Sequence, residues 1–238
     1  MRVARTVLGV GGELAITAGV LLLLFVVWEL GVVGVTANRA QAATVETLER
    51  RFAPTSPPSS PPSSPSTSLP TSPAAAPVAS ADDPFAILRI PRLGPGWAKP
   101  VYEGVAPNVL AEGIGHYPGT QLPGQVGNLG LAGHRAGHGN PLIDIDTIRP
   151  GDAIVAETAD AYWVYRAVRS KIVPPSDVHV LEPVPEQPAA IPTEAWLTLT
   201  SCEPKYGSTN RFIAFAKLDR SVPRAQGLPP DLLTAGGG

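Results

Sequence analysis

Between Pro84 and Arg220 the chain reads as short apolar runs, each cut off after a few residues by Gly, Pro, Asn or Asp. That punctuation excludes long helices and predicts strands near Ala86–Ile90, Ala98–Tyr102, Leu129–Gly133, Ala153–Glu157, Tyr162–Val173, Ala195–Ser201 and Phe212–Leu218. Only VAPNVLAEG (Val105–Gly113) and PLIDIDTI (Pro141–Ile148) suit a turn or two of helix, and RPGD (Arg149–Asp152) is a turn before the next strand. Seven or eight short strands in about 137 residues can bury their apolar sides by closing into a barrel or stacking as a sandwich. There is no internal repeat.

Little outside that region can contribute to such a core. Much of the proline (28 residues in 238) falls in Pro54–Asp83, where it alternates with serine and threonine and leaves no apolar periodicity to bury. This window is an extended spacer; the stretch before it, about Ala37–Arg51, is polar and helix-compatible, and residues 37–83 as a whole are assigned to a Pro/Ser-rich linker. At about 3.1 Å per residue such a chain could hold a domain well away from its point of attachment. The tail, residues 221–238, is Pro/Gly-rich and is expected to be loose.

At the other end, MRVART is basic and is followed by an apolar run from Val7 to Val35, interrupted by Glu13 and Glu29. Its cleanest part, LAITAGVLLLLFVVW (Leu14–Trp28), reaches with its flanks the roughly 20 residues that span a bilayer. Residues 1–36 are therefore expected to be a cytoplasmic N-terminus and one transmembrane helix, with the basic end kept inside and all that follows extracellular. The small-residue stretch AQAA (Ala40–Ala43) resembles a signal-peptidase site. It lies well beyond the apolar core, so an uncleaved anchor is preferred. A net charge of −2 leaves no basic footprint for a phosphate backbone, so no nucleic-acid partner is expected.

Outside the cytoplasm a lone cysteine cannot close an intramolecular disulfide, so Cys202, the only cysteine, is either a small buried hydrophobe or a reactive thiol. It ends the strand WLTLTSC. Alternation sets Trp196, Thr198, Thr200 and Cys202 on one face and Leu197, Leu199 and Ser201 on the other. The eight-residue connection EPKYGSTN lets RFIAFAKL return antiparallel, which brings Arg211 beside Cys202. A guanidinium there could favour a thiolate or hold a developing oxyanion. Of the four histidines, His179 reads as a surface residue, and His116 and His138 lie in Gly-rich loops. His134 ends the apolar strand NLGLAGHR at the same kind of rim as Cys202 and ranks ahead of His138 as an acid–base partner. A single Cys with scattered His does not cluster as zinc ligands do, and no cofactor or metal is expected.

These residues resemble the sortases, membrane-anchored cysteine transpeptidases of Gram-positive bacteria: AGHR supplies the histidine, TLTSC the cysteine and NRFIAFA the arginine, in the family's order. GHYPGTQLPGQVGNLGLAGHR (Gly115–Arg135) and RPGDAI extend the likeness to the class E sortases of actinobacteria. The resemblance covers residues 84–220 and implies a mainly β fold, a closed eight-stranded barrel with short helices. It implies His134, Cys202 and Arg211 as catalytic residues, with Tyr117 and Thr200 as substrate contacts. It also implies a substrate and an acceptor: secreted proteins carrying a C-terminal sorting signal similar to Leu-Ala-x-Thr-Gly, and an amine from a peptidoglycan precursor or a pilin. Two positions depart from the pattern. His138 stands where members often carry tyrosine, and Glu203 stands where they often carry histidine, setting a carboxylate beside the thiol that disfavours its ionised form.

Two other classes share some of these features. A non-catalytic, membrane-tethered wall-binding scaffold would keep the barrel with an inert Cys202, and native-state thiol reactivity separates it. An L,D-transpeptidase would need a Ser-His-Gly-Cys cluster, whereas Thr200 and Ser201 precede Cys202 here.

Overall fold

The computed structural model describes residues 2–28, 33–53 and 83–232. Eight strands close one barrel: β1 (Ala86–Arg89), β2 (Ala98–Glu103), β3 (Ile114–His116), β4 (Gly127–Ala132), β5 (Ala153–Glu157), β6 (Ala161–Val173), β7 (Ala195–Glu203) and β8 (Asn210–Pro223). Their order around the barrel is β1-β2-β3-β4-β7-β8-β6-β5. Two pairs, β2–β3 and β4–β7, are parallel and the other contacts are antiparallel. Alternate residues of the strands fill the interior: Leu88, Ile114, Leu129, Leu131, Ile154, Tyr165, Leu197, Leu199 and Ala214 are all at or below 1% exposure. The one large polar-tipped side chain in that set, Tyr165, accepts a hydrogen bond from the Gly124 N–H at 2.8 Å, which satisfies its buried hydroxyl.

Of the eight strands, the alternation-based reading lacks β3, whose three residues, Ile-Gly-His, are too few to show a period. The β6–β8 pair is the longest, and two register shifts, between Val164 and Tyr165 and between Ala167 and Arg169, bend it around the barrel. Helix α3 (Pro107–Glu112) forms inside the VAPNVLAEG stretch with proline in its first turn, and the PLIDIDTI stretch supplies one 3-10 turn, Ile145–Thr147.

The linker boundary at residue 37 is corrected. Helix α2 (Val33–Phe52) is docked on the barrel through Gln41, Val45, Leu48 and Phe52, spaced four, three and four apart and therefore on one stripe. Val45, Leu48 and Phe52 pack on Ile87 of β1, each worth roughly 1.5–3 kcal/mol of burial before ordering entropy is charged against it. Arg89 bonds Glu49, Arg51 bonds Asp83 in two places, and Arg224 donates to the Phe52 carbonyl at 2.6 Å. A narrow apolar stripe in an otherwise polar, Ala- and Thr-rich segment hides this docking from a composition-based reading.

The loose-tail expectation is corrected in the same way. β8 continues to Pro223, and Leu232 is buried against Val155, Tyr162 and Val164. Residues 233–238 lie outside the described residues, as do 54–82 of the Pro/Ser spacer.

At the N-terminus, helix α1 spans Arg2–Val27. Leu14, Ile16 and Val20 to Phe25 are each more than half exposed. Among the described residues no helix is long and apolar enough to cross a membrane, and the expected span over 7–35 runs through residues 29–32, outside the described residues.

Candidate active site

The parallel pairing of β4 with β7 builds the site. Two parallel strands end at the same edge, so the residues that follow β4 emerge beside the last residues of β7. Two hydrogen bonds fix that junction: the Gly133 N–H donates to the Thr200 carbonyl at 3.1 Å, and the Ser201 hydroxyl donates to the Gly133 carbonyl at 2.9 Å. Gly133 fits closely here, since a Cβ would sit 2.7 Å from both Ile114 Cδ1 and Leu142 Cδ1 and would require those side chains to shift. The next residue, His134, reaches the rim, where it lines a cleft of about 510 Å³ together with Cys202, Arg135 and the Lys205–Ser208 turn.

β8 returns antiparallel to β7 with Cys202 opposite Arg211 and Thr200 opposite Ile213. Cys202 is a free cysteine and partly exposed. Arg211 uses Nη1 to donate to the carbonyls of Ser208 and Asn210, both at 2.9 Å, so it holds the turn that follows Cys202. These two bonds occupy one nitrogen of a group with five donors. On the face that Cys202 shares by alternation, the Tyr117 and Thr200 hydroxyls bond at 2.9 Å. Leu197 and Leu199, on the other face, belong to the interior. The structure thus gathers His134, Cys202 and Arg211 at one rim, and Tyr117 with Thr200 next to it.

His134 has the electrostatics of a working group. Its Nε2 is buried and has no hydrogen-bond partner among the described residues, which a ring with a purely structural task would rarely tolerate. The His138 ring stacks on it with centroids 4.7 Å apart and planes 24° apart. Burial, and then the neighbouring His138, hold its pKa below the ordinary 6.5, so the neutral imidazole dominates at neutral pH and is ready to accept a proton. The remaining histidines differ. His116 lies in β3, not in a loop, and is buried with bonds to Glu103 (2.7 Å), Thr120 (2.9 Å) and the Gln121 carbonyl (3.1 Å). His179 is exposed in a 3-10 turn beside Glu182.

Arg135 was missed by sequence reasoning, although it follows His134 directly. It is 3% exposed and ion-paired to Glu203 and, at 2.8 Å, to Asp146. It also donates to the carbonyls of Ile143 and Cys202, both at 3.4 Å, and lies 5.7 Å over the Phe212 ring. One guanidinium therefore clips the end of β4 to the end of β7, to the 3-10 turn and to β8. It also offsets the Glu203 charge next to the thiol. A charged residue inside the AGHR motif, near a carboxylate that departs from the pattern, was the available signal.

A rim that carries a histidine, a partly exposed cysteine and a cross-strand arginine, on a closed barrel of mixed parallel and antiparallel strands, defines a class first: eight-stranded barrels with a His-Cys-Arg rim. Residues 88–219 match the family described as Sortase domain, and the chain belongs to the sortase family. It is 36% identical over 233 residues to Sortase SrtE1 of Streptomyces coelicolor, an alignment that covers 94% of this chain and 60% of that protein. Among solved structures it is similar to sortase E from Streptomyces avermitilis, with 40% identity, a TM-score of 0.57, and coverage of 63% of this chain and 96% of that one. It is also similar to Sortase E1 from S. coelicolor, solved with a tripeptide in the active site, with 39% identity, a TM-score of 0.58, and coverage of 63% and 96%.

Proposed function

We propose that this chain is a membrane-tethered sortase that cuts a Leu-Ala-x-Thr-Gly-like sorting signal between Thr and Gly and joins the new Thr carboxyl end to an amine. The observation that carries the reading is the register of Cys202 against Arg211, with His134 in the same cleft as the thiol. In the first half, the Cys202 thiolate adds to the Thr carbonyl carbon and Arg211 stabilises the oxyanion. The C–N bond then breaks as His134, which takes the proton of the Cys202 thiol when the thiolate forms, gives that proton to the leaving Gly amine. A thioester between Cys202 and the substrate remains, with His134 neutral. In the second half an acceptor amine attacks that thioester, His134 takes the amine's proton, and the amide forms as the Cys202 thiolate leaves.

Tyr117 and Thr200, hydrogen-bonded beside the thiol, would line the peptide groove. The tripeptide in the S. coelicolor enzyme supports a peptide substrate for this rim. The exposed leucines of α1, the basic residues Arg2 and Arg5 before them, and the Pro/Ser-rich composition of residues 54–83 support an anchor in the cell membrane with the barrel outside. The substrates would then be secreted proteins with a C-terminal sorting signal, and the acceptor an amine of a peptidoglycan precursor or a pilin.

The test uses the full chain in detergent with a Leu-Ala-x-Thr-Gly peptide and a glycine-based amine. Mass spectrometry should show a thioacyl adduct on Cys202 and, with amine present, the ligated product. The Cys202→Ala variant should keep its folded circular dichroism and make neither. Product formation by that variant refutes Cys202 as the nucleophile, and a wild-type Cys202 that neither acylates nor alkylates in the native state refutes the assignment and leaves a scaffold.

A further inference from the structure

The imidazole of His134 is steered by the ring stacked on it, so what holds His138 matters to the site. His138 has φ 49° and Asn140 φ 52°, left-handed values that cost a non-glycine residue on the order of 1 kcal/mol and persist only where neighbours impose them. Part of the hold is local: the Gly137 N–H donates to Asn140 Oδ1 at 2.6 Å, and the Asn140 N–H to the Gly137 carbonyl at 2.8 Å.

The rest comes from α2, nearly a hundred residues earlier in the chain. Gln41 Nε2 donates to the His138 carbonyl at 3.1 Å, and Gln41 Oε1 accepts from Lys99 Nζ at 2.7 Å. Lys99 also donates to Asn38 Oδ1 at 2.7 Å, and Asn38 lies so close to Gly139 (φ +81°) that a Cβ there would meet its Oδ1 at 2.8 Å. Gln41 is 2% and Lys99 8% exposed. A position on the apolar stripe of α2 that carries an amide rather than a leucine specifies one arrangement only if its bonds are made, and here both ends of the amide are used.

We infer that Gln41 is a positioning residue for His134: oriented by Lys99, it fixes the carbonyl of His138, whose ring stacks on the His134 imidazole, and α2 is thereby part of the working site. This rests on the proposed role of His134. The titratable and charged groups around that imidazole are His138 and Arg135 on its own segment, and Cys202, Lys205 and Tyr206 from β7 and the turn after it. Arg135 is charge-paired with Glu203 and Asp146.

Gln41→Glu tests the inference with little change of volume. The carboxylate still accepts from Lys99 but has no N–H for the His138 carbonyl. Peptide cleavage should show kcat reduced about tenfold with KM within about twofold, because misplacing a catalytic group by about 1 Å can cost on the order of 100-fold and a loosened loop should cost part of that. In histidine-labelled protein, the NMR titration midpoint of His134 should rise, since the burial and the His138 contact that lower it are relaxed. In a His138→Ala background Gln41→Glu should add nothing further to either readout.

Leu48→Ala, at the far end of α2, should lower Tm without moving the titration or kcat. Wild-type kinetics and titration in Gln41→Glu overturn the inference. So does a loss that persists without His138, or an equal loss in Leu48→Ala. Failure of the wild type to form a thioester would instead sink the proposed function, while the titration would still decide the inference.

Discussion

Removal of the Arg135 guanidinium, by Arg135→Met, separates the barrel's internal clip from its chemistry. Breaking one partner of a fully buried ion pair costs about 3–5 kcal/mol, because the other charge is left unpaired. Here the Glu203 side chain is 23% and Asp146 46% exposed, so water takes up part of the loss and about 2–3 kcal/mol is the expected cost. For a domain of this size each kcal/mol corresponds to roughly 2–4 °C, giving a Tm lowered by about 5–10 °C. The second consequence is chemical. An unpaired Glu203 carboxylate belongs to the residue after Cys202, and for two like unit charges an assumed separation of about 6 Å at an effective dielectric of about 20 corresponds to a repulsion of roughly 3 kcal/mol. Halved for exposure, that is about a tenfold slower alkylation of the thiol at neutral pH. Thermal unfolding by circular dichroism and the rate of iodoacetamide alkylation measure the two effects. Adding Glu203→Gln to Arg135→Met should restore the alkylation rate. A Tm lowered by less than about 2 °C would refute the clip, and slow alkylation that Glu203→Gln leaves uncorrected would refute the electrostatic account.

Three further outcomes are expected. Arg211→Lys keeps the charge but loses the planar guanidinium whose Nη1 bonds the Ser208 and Asn210 carbonyls and leaves its other donors for an oxyanion; peptide cleavage should slow at least about tenfold while Cys202 alkylation changes little, and near-wild-type cleavage would reduce the arginine to a plain charge. His134→Ala should lose about 100-fold or more in turnover, whereas His116→Ala should lower stability by about 1–3 kcal/mol through the partners it leaves unpaired, with kcat of the folded enzyme retained; parallel melting and kinetic curves check both. For pH, burial alone would raise the Asp152 carboxyl, but its bonds to Arg92 and the Arg149 N–H outweigh burial and hold the pKa below the ordinary 3.8. A depressed folded value stabilises the protein above 3.8 and the benefit is lost as pH falls through the folded value, so Asp152→Asn should flatten the acid limb of a Tm-against-pH curve below about pH 4.

What could be read from the sequence follows from the range of the signal. Strand alternation is local, so the face shared by Trp196, Thr198, Thr200 and Cys202 was visible in seven residues. The length of the EPKYGSTN connection was enough to bring Arg211 back opposite Cys202. β3 was invisible because three residues carry no period, and its parallel partner β2 lies across the α3 crossover. The docking of α2 was invisible for a different reason: four stripe positions in twenty residues do not lift mean hydropathy, and their meaning depends on Ile87 and Arg89, which lie beyond the Pro/Ser spacer. Arg135 shows the limit most sharply. Its identity was plain, but four segments of the chain meet at its guanidinium, and pairing between segments is written in tertiary structure rather than in spacing.

The two departures from the family pattern are best understood through those long-range contacts. Glu203 adds a negative charge beside the thiol, and His138 adds a second titratable ring against the imidazole; either one alone would disturb a thiol–imidazole pair. Each is met by a buried partner from elsewhere in the chain. Arg135 pairs with Glu203 and ties it to Asp146, and Gln41 holds the His138 carbonyl while Lys99 holds Gln41. The stacked geometry also gives His138 a use, since a ring over His134 covers one face of an imidazole whose Nε2 is buried without a partner among the described residues. A site of this kind is sensitive to residues that touch neither substrate nor thiol. Its tuning is distributed over α2, β2 and the Ile145–Thr147 turn, and the barrel rim brings those contacts together at the place where β4 and β7 end side by side.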